Sequence, residues 1–343
     1  MDTKILDGTQ ATAVNEAAEL LKMGQLVAFP TETVYGLGAY ALNKEAVRGI
    51  YQAKGRPSDN PLIVHICQKE QLTDLISELP PLAETLMEKF WPGPLTLIFP
   101  KGEQVPAEIT GGLDTVAVRM PNHPVALALL EACALPIAAP SANRSGKPSP
   151  TLAAHVLHDL NGRIAAVVDG GAAEVGLEST VLDITQTVPV ILRPGGITKE
   201  QLEEVVGQVE LATPHGDKKE TPRAPGMKYT HYAPEAPVII CQAQDLEKEL
   251  QEKINSFTGK LGLMLSNETL AKLKIPSTAT VVDLGSQNNL ANIAANLFAA
   301  LRTLDEAEVE IIYTEAFPHT QIGSAVMNRL SKAAGVEEKE VIK

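Results

Sequence analysis

Three cysteines in 343 residues are too few and too scattered for a disulfide framework. Cys67, Cys133 and Cys241 each lie in an apolar run, LIVHICQ, LEACALP and VIICQ, and read as buried, inert thiols rather than metal ligands. No window approaches the roughly 18 uninterrupted apolar residues of a membrane span. The opening MDTKILDGTQATAVNE has no apolar core behind a basic flank, so a cytoplasmic protein is expected. Basic residues are in deficit, 29 Lys and Arg against 42 Asp and Glu for a net charge of −13. The deficit holds over residues 1–212 (15 against 25) and 238–343 (10 against 14). A protein that grips a polynucleotide through its phosphates needs a basic face, so stable nucleic-acid binding is not expected. Cations that meet phosphate here must be few and local. There is no internal repeat and no low-complexity tract. The apolar fraction of 44% and charged fraction of 21% exclude wholesale disorder, and the length suits two domains.

Hydrophobic patterning predicts a helix over 11–23 closed by Gly24, a strand over 26–30, and a helix from an Asn43 N-cap into the basic turn Lys54-Gly55-Arg56-Pro57. Strand-like runs follow at 61–66, 95–99, 115–120, 136–140, 165–169, 179–184 and 188–193, with helical patterns at about 79–90, 124–134, 151–160 and 198–208. Alternation of strand and helix together with directly consecutive strands predicts an α/β domain with a mixed sheet and flanking helices over 1–212. Residues 213–237 hold five prolines and no hydrophobic period, which marks a linker, though its Tyr, His and basic residues are odd for a spacer. From 238 a regular alternation predicts a smaller Rossmann-like parallel α/β domain over 238–343. No G-x-G-x-x-G follows its first strand, so dinucleotide binding is not inferred.

Chemistry concentrates in the first domain. PTETVYGLG (30–38) follows a strand and is read as a hydroxyl-rich loop facing a ligand, or as a turn that needs Gly36 and Gly38. In KGRPSDNPLIVH (54–65), Lys54 and Arg56 either complement a helix C-terminus or neutralise adjacent phosphate oxygens. His65 within an apolar strand is either a ligand contact or a buried imidazole. PIAAPSANRSGKPSP (136–150) runs from a strand into a Ser- and Asn-rich loop of the kind that holds phosphate or ribose, or a plain surface loop. Arg119 and Arg193 sit at strand ends among apolar neighbours, and a partly buried arginine needs an anion, internal or bound. Four cations at loop or strand ends of one acidic domain point to anion chemistry in a concave site.

At these residues the sequence resembles the YrdC/Sua5 family, in the long two-part Sua5 form. The K-x-R and S-x-N elements are Lys54-Gly55-Arg56 and Ser141-Ala142-Asn143, joined by PTETVYGLG, ESTVLD, ILRPG and PGMKYTHYAP, and by MNRL near 327–330. The resemblance implies a YrdC-like twisted mixed sheet and a nucleotidyltransferase reaction: L-threonine, bicarbonate and ATP give L-threonylcarbamoyladenylate and pyrophosphate, the activated intermediate for N6-threonylcarbamoyladenosine in tRNA. It implies that Thr33, His65, Arg119, the Ala139 backbone and Ser179 hold threonine. Arg56, Asn60, Thr115, Ser141, Asn143, Ser149, Arg193 and Tyr232 would hold ATP, and Lys54 with Arg56 would act catalytically on the triphosphate. Mg²⁺ would come with the nucleotide's phosphates and not from a protein carboxylate cage. The expected partners are these substrates and the tRNA enzymes downstream. The linker, with Tyr232, is expected to close as a lid over the nucleotide. Two rival readings are a carbamoyl transferase using carbamoyl phosphate, disfavoured by the low cysteine count, and a double-stranded RNA binder, disfavoured by the net charge.

Overall fold

A computed structural model describes residues 2–212, 222–225, 232–242 and 244–336, and among them the chain forms two units. The first takes residues 2–145, 149–174 and 178–225. The second takes the short segments 146–148 and 175–177 together with residues from 232 onward.

In chain order the first unit contains β1 (Lys4–Asp7), α1 (Ala11–Lys22), β2 (Val27–Phe29), β3 (Gly36–Tyr40), α2 (Lys44–Lys54), β4 (Ile63–His65), a 3-10 turn at Lys69–Asp74, α3 (Ala83–Phe90), β5 (Leu95–Pro100), α4 (Ala107–Thr110), β6 (Thr115–Arg119), α5 (Pro124–Cys133), β7 (Ile137–Ala138), α6 (Ala153–Leu160), β8 (Ala166–Asp169), β9 (Thr180–Asp183), β10 (Val190–Arg193), α7 (Lys199–Val206) and β11 (Glu210–Leu211). The strands form one mixed sheet in the order β1-β8-β2-β3-β7-β4-β6-β5-β9-β10-β11. The expected α/β class and most predicted elements are present. The exception is 36–38, the end of the 30–38 loop or turn reading, which opens the strand Gly36–Tyr40. Gly36 and Gly38 are there for close approach: a Cβ on Gly38 would sit 2.9 Å from the Phe29 ring and 3.0 Å from the Val27 carbonyl.

Side chains alternate across a strand, so each face has its own cover. On one face Val64, Leu97, Val116, Val118 and Leu182 enter the main core with helices α2, α3, α6 and α7. On the other, α1 and α5 pack over β2, β7 and β8 through Leu21, Leu129, Val27, Ile137 and Val168. Further along that face an apolar strip of Ile63, Ala117, Ile98, Val181 and Leu192 packs against Ala224, with no helical residue in the cluster. This stretch of sheet carries the candidate site.

The second unit contains β12 (Val238–Cys241), α8 (Leu246–Ser256), β13 (Leu261–Leu265), α9 (Asn267–Leu270), β14 (Thr280–Asp283), α10 (Leu290–Glu306), β15 (Ile311–Glu315) and α11 (Ile322–Ala334). Its four strands are all parallel in the order β12-β15-β13-β14, as the alternating pattern predicts. Buried Glu315 ties the carboxyl ends together, accepting from Ser266 N (2.6 Å), Thr269 Oγ1 (3.0 Å) and Gln287 Nε2 (2.6 Å). No helix among the described residues is long and apolar enough to cross a membrane.

Candidate active site

The period-2 geometry of the strands explains why distant sequence motifs meet. Ala117 and Ile63 lie in the apolar strip, so Thr115 and Arg119 on β6, and His65 on β4, project from the same face. Registers agree: His65 lies opposite Arg119 across one strand pair and opposite Ile137 across the other. Thr96 precedes Ile98 by two residues, and Ser179 precedes Val181 by two, so both hydroxyls join the Arg119 end. The opposite end of the strip opens into a cavity of about 720 Å³ whose lining includes Thr115, Asp183 and Arg223.

At the first end, Arg119 is only 3% exposed. Its Nε donates to Gly93 O (3.1 Å), Nη1 to Thr33 Oγ1 (2.8 Å), and Nη2 lies 2.6 Å from Glu32 Oε1. Thr33 Oγ1 is 2.8 Å from Thr31 Oγ1. Arg193 Nη2 donates to Ser179 O (2.9 Å) and Ser179 Oγ (3.2 Å), and that hydroxyl is 2.7 Å from Thr96 Oγ1. His65 meets the Phe29 ring edge-on at 6.2 Å, and burial pushes its pKa down to about 3, with the neighbouring Arg119 charge acting in the same direction. A neutral imidazole, a buried arginine and four hydroxyls thus share one end of the sheet face. Ala139 is fixed beside it by its N–H to Ile63 O (2.9 Å).

The K-x-R and S-x-N elements also meet. Asn43 caps α2, and Gly55 ends it in the left-handed conformation, so Lys54 and Arg56 leave the helix in defined directions. The Lys54 ammonium is buried and donates to Ser141 O (2.5 Å) and Asn143 O (2.6 Å), with Asn143 Oδ1 at 3.3 Å. Lys54 therefore anchors the 141–143 loop. Ser141 Oγ donates to Asn143 Oδ1 (2.6 Å), and a bridge from Gly36 to Ser141 attaches the loop to β3. Arg56 Nη2 donates to Pro61 O (3.0 Å), and buried Asn60 keeps an Oδ1 with no hydrogen-bond partner. Ser149 Oγ donates to Glu178 Oε1 (2.5 Å).

Among the described linker residues, Arg223 pairs with Asp183, Ala224 fills the apolar strip, and Pro225 O accepts from Arg193 Nη1 (3.5 Å). Residues 213–221 and 226–231, on which most of the lid reading falls, lie outside the described residues. Tyr232 belongs to the second unit, where its ring packs on Phe298 (centroids 5.0 Å apart) and the Arg329 guanidinium lies 5.7 Å above it. Glu32, Thr96 and Glu178 join these residues without having been singled out by the sequence, although Glu32 lies inside PTETVYGLG and Glu178 opens ESTVLD.

Comparison with known proteins covers most of the chain. The Sua5–YciO–YrdC profile, described as "Telomere recombination", matches residues 19–195, and the profile of the threonylcarbamoyl-AMP synthase C-terminal domain matches 197–335. The chain belongs to the Sua5/YrdC family. It is 52% identical over 331 residues to the threonylcarbamoyl-AMP synthase of Bacillus subtilis (strain 168), covering 95% of this chain and 94% of that protein. It is 50% identical over 325 residues to the enzyme of Pyrococcus abyssi (strain GE5 / Orsay), covering 93% of each. The crystal structure of P. abyssi Sua5 complexed with L-threonine aligns with a TM-score of 0.91 at 48% identity over 98% of both chains. The fold expected of a two-part Sua5/YrdC protein is the one observed.

Proposed function

We propose that this chain is a nucleotidyltransferase that converts L-threonine, bicarbonate and ATP to L-threonylcarbamoyladenylate and pyrophosphate, supplying the enzymes that modify tRNA to N6-threonylcarbamoyladenosine in the cytoplasm. The observation that carries the reading is the buried Arg119, its Nη1 on Thr33 and its neighbours Ser179 and neutral His65 on one sheet face. That set suits a small hydroxylated carboxylic acid, and the P. abyssi relative has been crystallised with L-threonine.

In the proposed reaction the threonine amine and bicarbonate give a carbamate and water, and a carbamate oxygen attacks the α-phosphorus in line as pyrophosphate leaves. The carbamate brings its own nucleophilic oxygen, so the protein's task is to hold two anions together and to stabilise the charge of the transition state. Arg119 would orient the threonine carboxylate. Arg56, Asn60, Ser141 and Arg193 would face the nucleotide, and Lys54 would act through the 141–143 loop that it holds. Mg²⁺ would enter with the nucleotide as part of the MgATP substrate, bound chiefly through phosphate oxygens and water.

The test is mass spectrometry of the product formed from ATP, bicarbonate and threonine, with serine as the control. A threonylcarbamoyl-AMP peak that needs all three reactants supports the reading. Pyrophosphate release that is indifferent to threonine refutes it.

A further inference from the structure

A free amino acid carries an ammonium beside its carboxylate, so a buried site that selects it needs an anion beside its cation. The five residues that the family resemblance gives to threonine do not meet that need. Thr33, Ala139 and Ser179 are uncharged, Arg119 is a cation, and burial keeps the His65 ring neutral. The missing charge is next to them. Glu32 is 4% exposed, and its Oε1 lies 2.6 Å from Arg119 Nη2.

That approach is a charge contact without hydrogen-bond alignment. Glu32 Oε1, Glu32 Oε2 and Arg119 Nη2 are all buried with no hydrogen-bond partner, although Arg119 Nε and Nη1 are well placed on Gly93 O and Thr33 Oγ1. Buried charged groups with unmade hydrogen bonds are costly, and this ion pair leaves both Glu32 oxygens and one Arg119 nitrogen without one. A ligand offering three N–H donors and a carboxylate would satisfy both together.

Resting on the threonine reading above, we propose that Glu32 is the counter-ion of the substrate's ammonium group, so that Glu32 and Arg119 together recognise an α-amino-acid zwitterion. Arg119 Nη2 donates to the carboxylate, and Glu32 accepts from the ammonium. Residue 32 is thereby a specificity determinant against hydroxy acids of the same shape. The competing view gives Glu32 only the task of neutralising Arg119.

Calorimetric titration of the full chain with L-threonine and with 3-hydroxybutanoate, which keeps the carboxylate and hydroxyl but lacks the amine, separates the two. Wild type should prefer threonine by at least about tenfold, the usual worth of one charge-assisted hydrogen bond. In Glu32→Gln the preference should shrink to within about threefold while ATP affinity holds within about twofold. Equal weakening of both ligands, with the preference intact, overturns the proposal and leaves Glu32 acting only through Arg119. A wild-type preference below about threefold overturns it without any variant, which covers the case of Glu32→Gln failing to fold. Wild type that binds ATP but neither acid removes the threonine reading itself, and the proposal with it.

Discussion

Replacing Lys54 with Met keeps the length and most of the volume of the stem and deletes the ammonium. The structure assigns that ammonium to the main-chain oxygens of Ser141 and Asn143, at 2.5 and 2.6 Å, from a side chain only 2% exposed. Two charge-assisted hydrogen bonds at about 1.5–3 kcal/mol each set a gross loss of roughly 3–6 kcal/mol. Two effects reduce it. Removing a buried cation recovers part of its desolvation cost, and the half-buried Ser141 carbonyl can turn to water. A net loss of about 2–3 kcal/mol is expected, which for a unit of this size lowers Tm by roughly 4–12 °C. Because the loop carries Ser141 and Asn143, pyrophosphate formation should fall at least about tenfold, through a higher KM for ATP more than for threonine. Scanning fluorimetry and a pyrophosphate-release assay at saturating threonine measure the two effects. A Tm within about 2 °C of wild type and activity within about threefold would refute the anchoring argument.

Arg56 donates to main-chain oxygens of its own turn and sits at intermediate exposure. Arg56→Ala should therefore cost at least about tenfold in pyrophosphate formation with little change in Tm, and a large Tm drop with preserved turnover would make it structural. His65 has a folded-state pKa of about 3 against 6.5 for the ordinary side chain, so below pH 6.5 the unfolded chain binds a proton that the folded chain refuses. Stability from this group is complete above that pH and is lost on acidification towards 3, at about 1.4 kcal/mol per pH unit within the window. In His65→Asn the fall in Tm between roughly pH 6 and pH 4.5 should be shallower than in wild type, and parallel curves would refute the assignment. Gly195→Ala would place a Cβ 2.3 Å from Glu178 O, 2.4 Å from Thr180 N and 2.5 Å from Ser179 C. Main chain must move there, so both Tm and threonine affinity should fall, and unchanged threonine binding would show that Ser179 is not displaced.

Strong periodic segments were legible without coordinates. LTLIF and TVAVR became β5 and β6, and Asn43 caps α2 as its side chain suggests. The end of PTETVYGLG reads as a turn because two glycines in a short run look like one, and only the Phe29 ring pressed against Gly38 shows why a strand needs them. The site residues were legible as motifs but not as roles. Lys54 and Arg56 stand two apart in sequence, yet one is buried under the Ser141 loop and the other faces its own turn. Glu32 was hidden in plain sight between two threonines, since nothing in PTETVYG says which hydroxyl or carboxylate meets an arginine 87 residues away. A linear division at 212 also could not show that residues 146–148 and 175–177 belong with the second unit: Pro148 O accepts from Arg302 Nη2 at 2.6 Å, and Gly146 O accepts from Ala233 N at 3.0 Å.

The charged residues of this site are built as fixtures. Arg193 has its Nε and Nη2 on Ser179 O, and Arg119 has its Nε on Gly93 O and its Nη1 on Thr33, so neither guanidinium can swing away without breaking bonds to the main chain. A reaction that joins two anions gains most from cations already in place, because no reorganisation then remains for the transition state. The strand pattern makes such placement economical. In TVAVR, alternate residues give a hydroxyl, a methyl and a guanidinium on one face while the two valines enter the core on the other. Five residues thereby contribute one edge of the cavity, one methyl of the apolar strip and one fixed charge, and moving that strand's register by one residue would bury Arg119 in the valine core. The register of β6 between β4 and β5, more than any single contact, is therefore what holds the site together.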